Sequence, residues 1–189
     1  RLYEERLKQI SKGEKSLIGT NIYADLTDKL EDIVPTVEVE GRLAEPYEKL
    51  RASFEKSQPK TVLLTFGKLK DFKARADFVT GFLAAAGIKS EWSPAFQSVA
   101  EANEWIAEND FDYGVICVHP DEIDAVMEKF IEDFPANKWI DVAGKYDEEV
   151  EAAWRKAGIS DFIYKGQDQL EKLQAIQKRW EEVAQHEEA

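Results

Sequence analysis

Cysteine is nearly absent from this chain. A single cysteine in 189 residues excludes an internal disulfide framework and any cysteine-rich zinc or iron–sulfur site. Long apolar runs are missing as well. Nothing approaches the roughly 20 consecutive apolar residues of a membrane span, and no apolar secretory stretch opens the chain. Positive charge is in short supply, with 25 Lys+Arg against 38 Asp+Glu and a formal net charge of -13 at pH 7. That balance argues against nucleic acid as a main partner, because a phosphate backbone selects a basic footprint. What is present is a 43% hydrophobic, 11% aromatic chain, too apolar for wholesale disorder and long enough for one full core plus an arm. The expected compartment is a reducing one, the cytoplasm or an equivalent matrix. The chain opens on Arg1 rather than Met, which predicts a missing upstream part.

The text divides near Pro59. Before it, Leu2 to Ile10 reads as a short helix, Ser16 to Thr20 as a brief strand-like piece, and Asn21 to Glu40 as an extended arm. Ala44 to Lys56 reads as a helix with Pro46 near its start, where a missing N–H costs little. Tyr3, Leu7 and Ile10 have no local core and call for a partner surface. After Pro59 the periodicity becomes regular. Strands are predicted at Thr61–Phe66, Ile88–Trp92, Tyr113–Val118, Trp139–Ala143 and Asp161–Tyr164. Helices are predicted between them at Asp71–Ala86, Gln97–Asp110, Pro120–Phe134 and Glu148–Ala157, with a last one from Asp168 to about Ala184 and a terminal stretch, Glu181 to Ala189, expected to fray. In the first of these, Phe78, Val79, Phe82, Leu83 and Ala86 share the expected inner face. Alternation with short connections predicts an α/β, flavodoxin-like or Rossmann-like, doubly wound five-stranded parallel sheet of order 2-1-3-4-5, with an N-terminal arm. Ligands of such a sheet approach the carboxyl ends of the strands.

That rim carries little recognisable chemistry. After the first strand, Gly67 to Lys73 contains one glycine, so it is neither a phosphate loop nor a dinucleotide fingerprint. Lys68, Lys70 and Lys73 read as a solvated basic patch, and Asp71 as a helix cap. His119 beside Asp121, Glu122 and Asp124 has the residue types of a metal or acid–base site. The simpler expectation is first-turn carboxylates favoured by the helix dipole, and a free histidine ring at the strand end. Gly144 and Gly166 suit turns or close backbone approach. Cys117 lies inside a central strand and reads as a small buried hydrophobe. Physical reading alone reaches a catalytically quiet α/β domain.

Three stretches carry a resemblance: Ser16 to Asn21, Arg42 to Arg51, and Lys60 to Leu64 with Gly67, continued by Ala74 to Phe78 and Phe82 to Ile88. Across nearly the whole chain the text resembles methylmalonyl-CoA mutase, specifically its small, non-catalytic subunit. The resemblance implies three segments: 1–20 as the tail of a preceding barrel domain, 21–60 as an interdomain linker with a short helix, and 61–189 as a cobalamin-binding-type domain. It further implies a cytoplasmic heterodimeric isomerase assembly that interconverts methylmalonyl-CoA and succinyl-CoA with adenosylcobalamin.

In active chains of that family an Asp-x-His-x-x-Gly motif follows the first strand, and its histidine ligates cobalt while its aspartate orients the ring. Laid on this sequence, those positions are Leu69, Asp71 and Ala74. The family's Ser-x-Leu patch falls at Ile116 and Val118, and its Gly-Gly pair survives only as Ala143 and Gly144. The resemblance therefore implies a degenerate motif: no catalytic residue, no metal and no cofactor bound by this chain, with adenosylcobalamin held by the catalytic partner subunit. The linker and the faces bearing Tyr3, Leu7 and Tyr47 are the expected contacts with that subunit, and Arg42 to Arg51 an expected hinge helix. Two alternatives remain. One is a working adenosylcobalamin-binding domain with non-histidine ligation; the other is a free-standing flavodoxin-like small-molecule or interaction module.

Overall fold

The computed structural model describes residues 2–13, 44–135 and 137–188. The strand-like piece at Ser16, the extended arm and the start of the hinge segment at Arg42 lie outside the described residues. Seven helices and five strands occur in the described residues. They run in the order α1 (Leu2–Ser11), α2 (Glu45–Lys56), β1 (Thr61–Thr65), α3 (Leu69–Ala84), β2 (Ser90–Trp92), α4 (Val99–Glu108), β3 (Tyr113–Cys117), α5 (Ile123–Glu132), β4 (Trp139–Ala143), α6 (Glu148–Ala157), β5 (Phe162–Ile163) and α7 (Gln169–Glu188). The strands form one all-parallel sheet of order β2-β1-β3-β4-β5. With helices flanking it, the fold is doubly wound α/β, as the alternation predicts.

The chain divides into two compact units. The first comprises Arg1–Gln58, Gly81–Lys89 and Lys165–Ala189, and the second Pro59–Thr80 and Ser90–Tyr164. The second holds the sheet. β1, β3 and β4 are buried at every position, which is why their sequences are near-continuous apolar runs rather than alternating ones. On one sheet face Val62, Leu64, Ile116, Ile140 and Val142 form a single core with Val99, Ala102 and Ile106 of α4, Ile123, Met127 and Phe130 of α5, and Trp154 of α6. The α5 spacing 123, 127, 130 is the i, i+4, i+7 stripe that puts three side chains on one helical face. On the opposite face, Asp141 is fully buried in the middle of β4 and accepts a 2.5 Å hydrogen bond from the Tyr113 hydroxyl. The sequence reading passed over this pair, because an aspartate in a strand leaves no periodic signal.

The first unit is helical. Tyr47, Leu50 and Phe54 of α2 are buried, and α2 contacts α7. Ile10 is buried too, and α1 also contacts α7, so the front helix finds its apolar partner within the chain. Polar contacts fasten the same helices. The Ser11 hydroxyl accepts from the Leu170 N–H at 2.6 Å and donates to the Asp168 carboxylate, while Asp168 accepts from the Glu171 N–H at 3.1 Å. Two side chains thus serve the orphan N–H groups at the start of α7. Tyr47 donates to Gln169 at 3.2 Å, and Arg51 donates to the Ala85 carbonyl at 3.1 Å. Tyr47 is wholly buried and offers no contact face, contrary to the sequence expectation.

Other differences are local. The buried stripe of α3 is Phe72, Ala76, Val79 and Leu83, and Phe78 falls outside it. α7 continues through Glu188 instead of fraying at Glu181, and Trp180 donates to the Ser57 hydroxyl at 3.2 Å. α5 begins at Ile123, because the chain from His119 to Glu122 closes a turn first.

Replacing Tyr113 with Phe removes the donor from a buried carboxylate. We expect Tyr113→Phe to lower unfolding free energy by about 1–3 kcal/mol, read from the urea midpoint at unchanged slope.

Candidate functional site at the carboxyl rim

The carboxyl ends of the strands face the starts of α3, α4, α5 and α6, where a sheet of this topology receives ligands. β1 pairs with β3 to its last residue, and the pairing runs one step further through the Phe66 N–H to the Cys117 carbonyl at 3.2 Å. Gly67 then turns with φ of 88°. A Cβ there would stand 3.3 Å from the Asp71 carboxylate and 3.7 Å from that of Glu122. Beside β1, the Thr65 N–H donates to the Ser93 hydroxyl at 3.0 Å, and the Phe96 N–H donates to the Thr65 carbonyl at 2.8 Å. The backbone at this end of the strand is committed to protein partners.

Leu69 is 56% exposed on the first turn of α3. Asp71 is not the N-cap but sits two residues into the helix, and its carboxylate accepts from the Lys68 N–H at 3.0 Å. This is the returning half of a capping box. Ala74 is exposed on the outer side of the same helix. The three positions do not converge. Ile116 and Val118 are fully buried, Ile116 at the end of β3 and Val118 just past it, and both belong to the core cluster.

Gly144, immediately after β4, is the crowded point. Its φ is 117°, and a Cβ there would collide with the Arg75 guanidinium and the Tyr146 hydroxyl. Arg75 reaches from α3 across the strand ends, where its Nη1 donates to the Ala143 carbonyl and, at 2.6 Å, to the Tyr146 hydroxyl. Tyr146 in turn donates to the same Ala143 carbonyl at 2.8 Å. The guanidinium lies 5.8 Å from the Tyr146 ring centre, and that ring meets Trp154 edge-on at 4.8 Å. Burial pushes the Tyr146 hydroxyl above its ordinary range, while the Arg75 charge pulls it back. The space beside Gly144 is thus filled by an arginine and a tyrosine, while Ile116 and Val118 belong to the core instead. The available signal was an arginine directly before the buried Ala76, close to the inner face of α3.

The remaining candidates are ordinary. His119 is not free: its Nδ1 accepts from the Asp121 N–H at 3.2 Å. Among the described residues no group of His, Cys, Asp or Glu has the arrangement to hold a metal ion. Lys73 pairs with Asp77 one turn along α3, while Lys68 and Lys70 are exposed. Cys117 is buried, and burial pushes its thiol up to about 12, so no thiolate is available at neutral pH. Open volume lies elsewhere in this unit. A groove of about 590 Å³ at the amino ends of β3 and β4 is lined by Asn103, Ile106, Asp133 and Lys138, and a second of about 370 Å³ runs between α5 and α6.

A cobalt-ligating cobalamin site does not fit these residues. Leu69 has no oxygen to accept from a ring N–H, Asp71 is spent on the helix start, and the space beside Gly144 is occupied by Arg75. No family model matches the chain, and neither does any curated protein.

Gly144→Ala combines a left-handed φ with a steric collision and should cost on the order of 3 kcal/mol in a denaturation experiment. Arg75→Ala removes the nearest obstacle, so the double variant should lose about 1 kcal/mol less than the two single losses together. Cys117 supplies a pH test. Its thiol stays protonated in the folded chain up to about 12, whereas the unfolded chain releases that proton from 9.0 upward. The folded state then binds more protons, so this contribution is complete below pH 9 and is lost as pH rises through that window. Cys117→Ala should show a shallower alkaline loss of stability than the parent chain.

Proposed function

We propose that this chain is a structural, non-cofactor-binding part of a methylmalonyl-CoA mutase-type assembly, equivalent to the C-terminal portion of its small subunit. In this reading it supports a catalytic partner subunit in a cytoplasmic heterodimer, and that partner holds adenosylcobalamin and carries out the interconversion of methylmalonyl-CoA and succinyl-CoA. The observation that supports it best is the closure at Gly144, where Arg75 and Tyr146 share the Ala143 carbonyl and fill the space beside the position of the family's Gly-Gly pair. The fates of Leu69, Asp71 and Ala74 agree with it, since none of them presents a ligand atom to a common point. The doubly wound sheet agrees too, but a fold of this type hosts many functions and carries less weight.

On this reading the chain's own residues do no bond-making. Their work is to keep the rim shut and the sheet rigid, so that a partner meets a fixed surface. Of the contact residues expected from the sequence, Tyr47 is withdrawn because it is buried, and Leu7 remains half-buried on α1.

Titration with adenosylcobalamin, followed by absorbance and calorimetry, tests the reading. We expect no saturable binding up to high-micromolar cofactor, and co-purification of a larger mutase-type subunit when the chain is used as bait. Tight, saturable binding would overturn the proposal in favour of a working cofactor domain with non-histidine ligation.

A further inference from the structure

We infer that the groove between α5 and α6 is a docking surface for a basic amphipathic helix of a partner protein. The inference is independent of the mutase-type reading, because it uses only the second unit's own surface. The groove, about 370 Å³, has an apolar floor of Ile131, Val150 and Trp154, and the small, exposed Ala153 also lines it. Its charged walls are all of one sign: Asp124 and Glu128 on α5, Glu149 on α6. Among the described residues no lysine or arginine lines it. None of the three carboxylates is ion-paired among the described residues, although Lys49, Lys73 and Arg155 elsewhere each have an acidic partner.

Like charges facing one another across an apolar floor repel, and among the described residues no side chain neutralises them. An occupant that covers the floor must neutralise the walls or bury them unpaired, at a desolvation cost. An acidic or neutral apolar segment fails that condition. Nucleic acid and anionic membranes are repelled outright. The chemistry that satisfies both parts is a helix with apolar residues at i, i+3, i+4 and i+7 and Lys or Arg on its flanks. The lining residues 124, 128 and 131 of α5 span about 10 Å along the helix axis, enough for about two turns of such a partner.

The test uses the full chain and a fluorescein-labelled helical peptide about four turns long, built from leucine and lysine with the leucines on one face. A scrambled peptide of identical composition is the control. Anisotropy titrations at physiological salt should show the patterned peptide binding about tenfold tighter than the scrambled one. Glu128→Lys with Glu149→Lys should weaken binding about tenfold, while Glu104→Lys with Glu181→Lys, on α4 and α7, should leave it within about twofold. Ala153→Glu separates docking from bulk charge, because it adds negative charge yet fills the groove, and we expect weaker binding. Equal affinity for both peptides, equal loss from both charge reversals, or tighter binding to Ala153→Glu would each overturn the inference. Sedimentation of the chain alone provides the last arm. A dimer abolished by Ala153→Glu would assign the groove to a second copy and overturn the foreign-partner reading, whereas sedimentation as a monomer agrees with it.

Discussion

The sheet unit depends on three central strands, β1, β3 and β4, being buried on both faces. Once Thr61–Thr65, Tyr113–Cys117 and Trp139–Ala143 pair in parallel, every backbone group between them is satisfied within the sheet, and every side chain must be apolar or individually partnered. Most positions obey by being Val, Ile, Leu or aromatic. The polar exceptions are handled one at a time: Thr61 by the Pro59 carbonyl, Thr65 by Ser93, Asp141 by Tyr113, Cys117 by remaining a neutral thiol. Parallel strands also force the connections to cross over, which brings several helix starts to one rim and leaves that rim as the place where a ligand would be met.

What happens at the rim follows from the same demand for satisfied groups. A strand that ends exposes its last carbonyl, and Ala143 gives that carbonyl to two donors, Arg75 and Tyr146. The bonds hold a long cationic side chain flat across the strand ends, and the glycine that follows leaves the room for it. Closure and strand termination are therefore one device. The small residues Ala143 and Gly144 leave room that Arg75 and Tyr146 occupy, and Asp71 on α3 is committed to the Lys68 N–H. One open groove lies instead on the flank, where α5 and α6 leave apolar side chains between Asp124 and Glu128 on one side and Glu149 on the other.

Strand and helix existence was legible because burial writes itself into composition. β4 and α6 occupy the residues the pattern assigns, and Gly158 ends α6 with a φ of 131°. The inner face of α3 was misread at Phe78, since one large apolar residue beside Val79 mimics a stripe that continues through Phe72 and Ala76 instead. The burial of α2 and Ile10 was not legible either. Their apolar partners come from α7, more than a hundred residues away in the chain, and no local pattern encodes a contact at that separation.

Arg75 and Tyr146 mark the same boundary at the candidate site. Sequence alone determined the parallel alternation, the apolar central strands, the lack of a phosphate loop and the residue types at the motif positions, because each is a matter of local composition and spacing. Which side chain would fill the rim was decided only in three dimensions. The deciding quantities were the reach of an arginine on α3, the crowding around a glycine after β4, and a carbonyl with two donors competing for it. These are relations between residues far apart in the chain, and they acquire a physical value only when the sheet has brought the ends of its strands together.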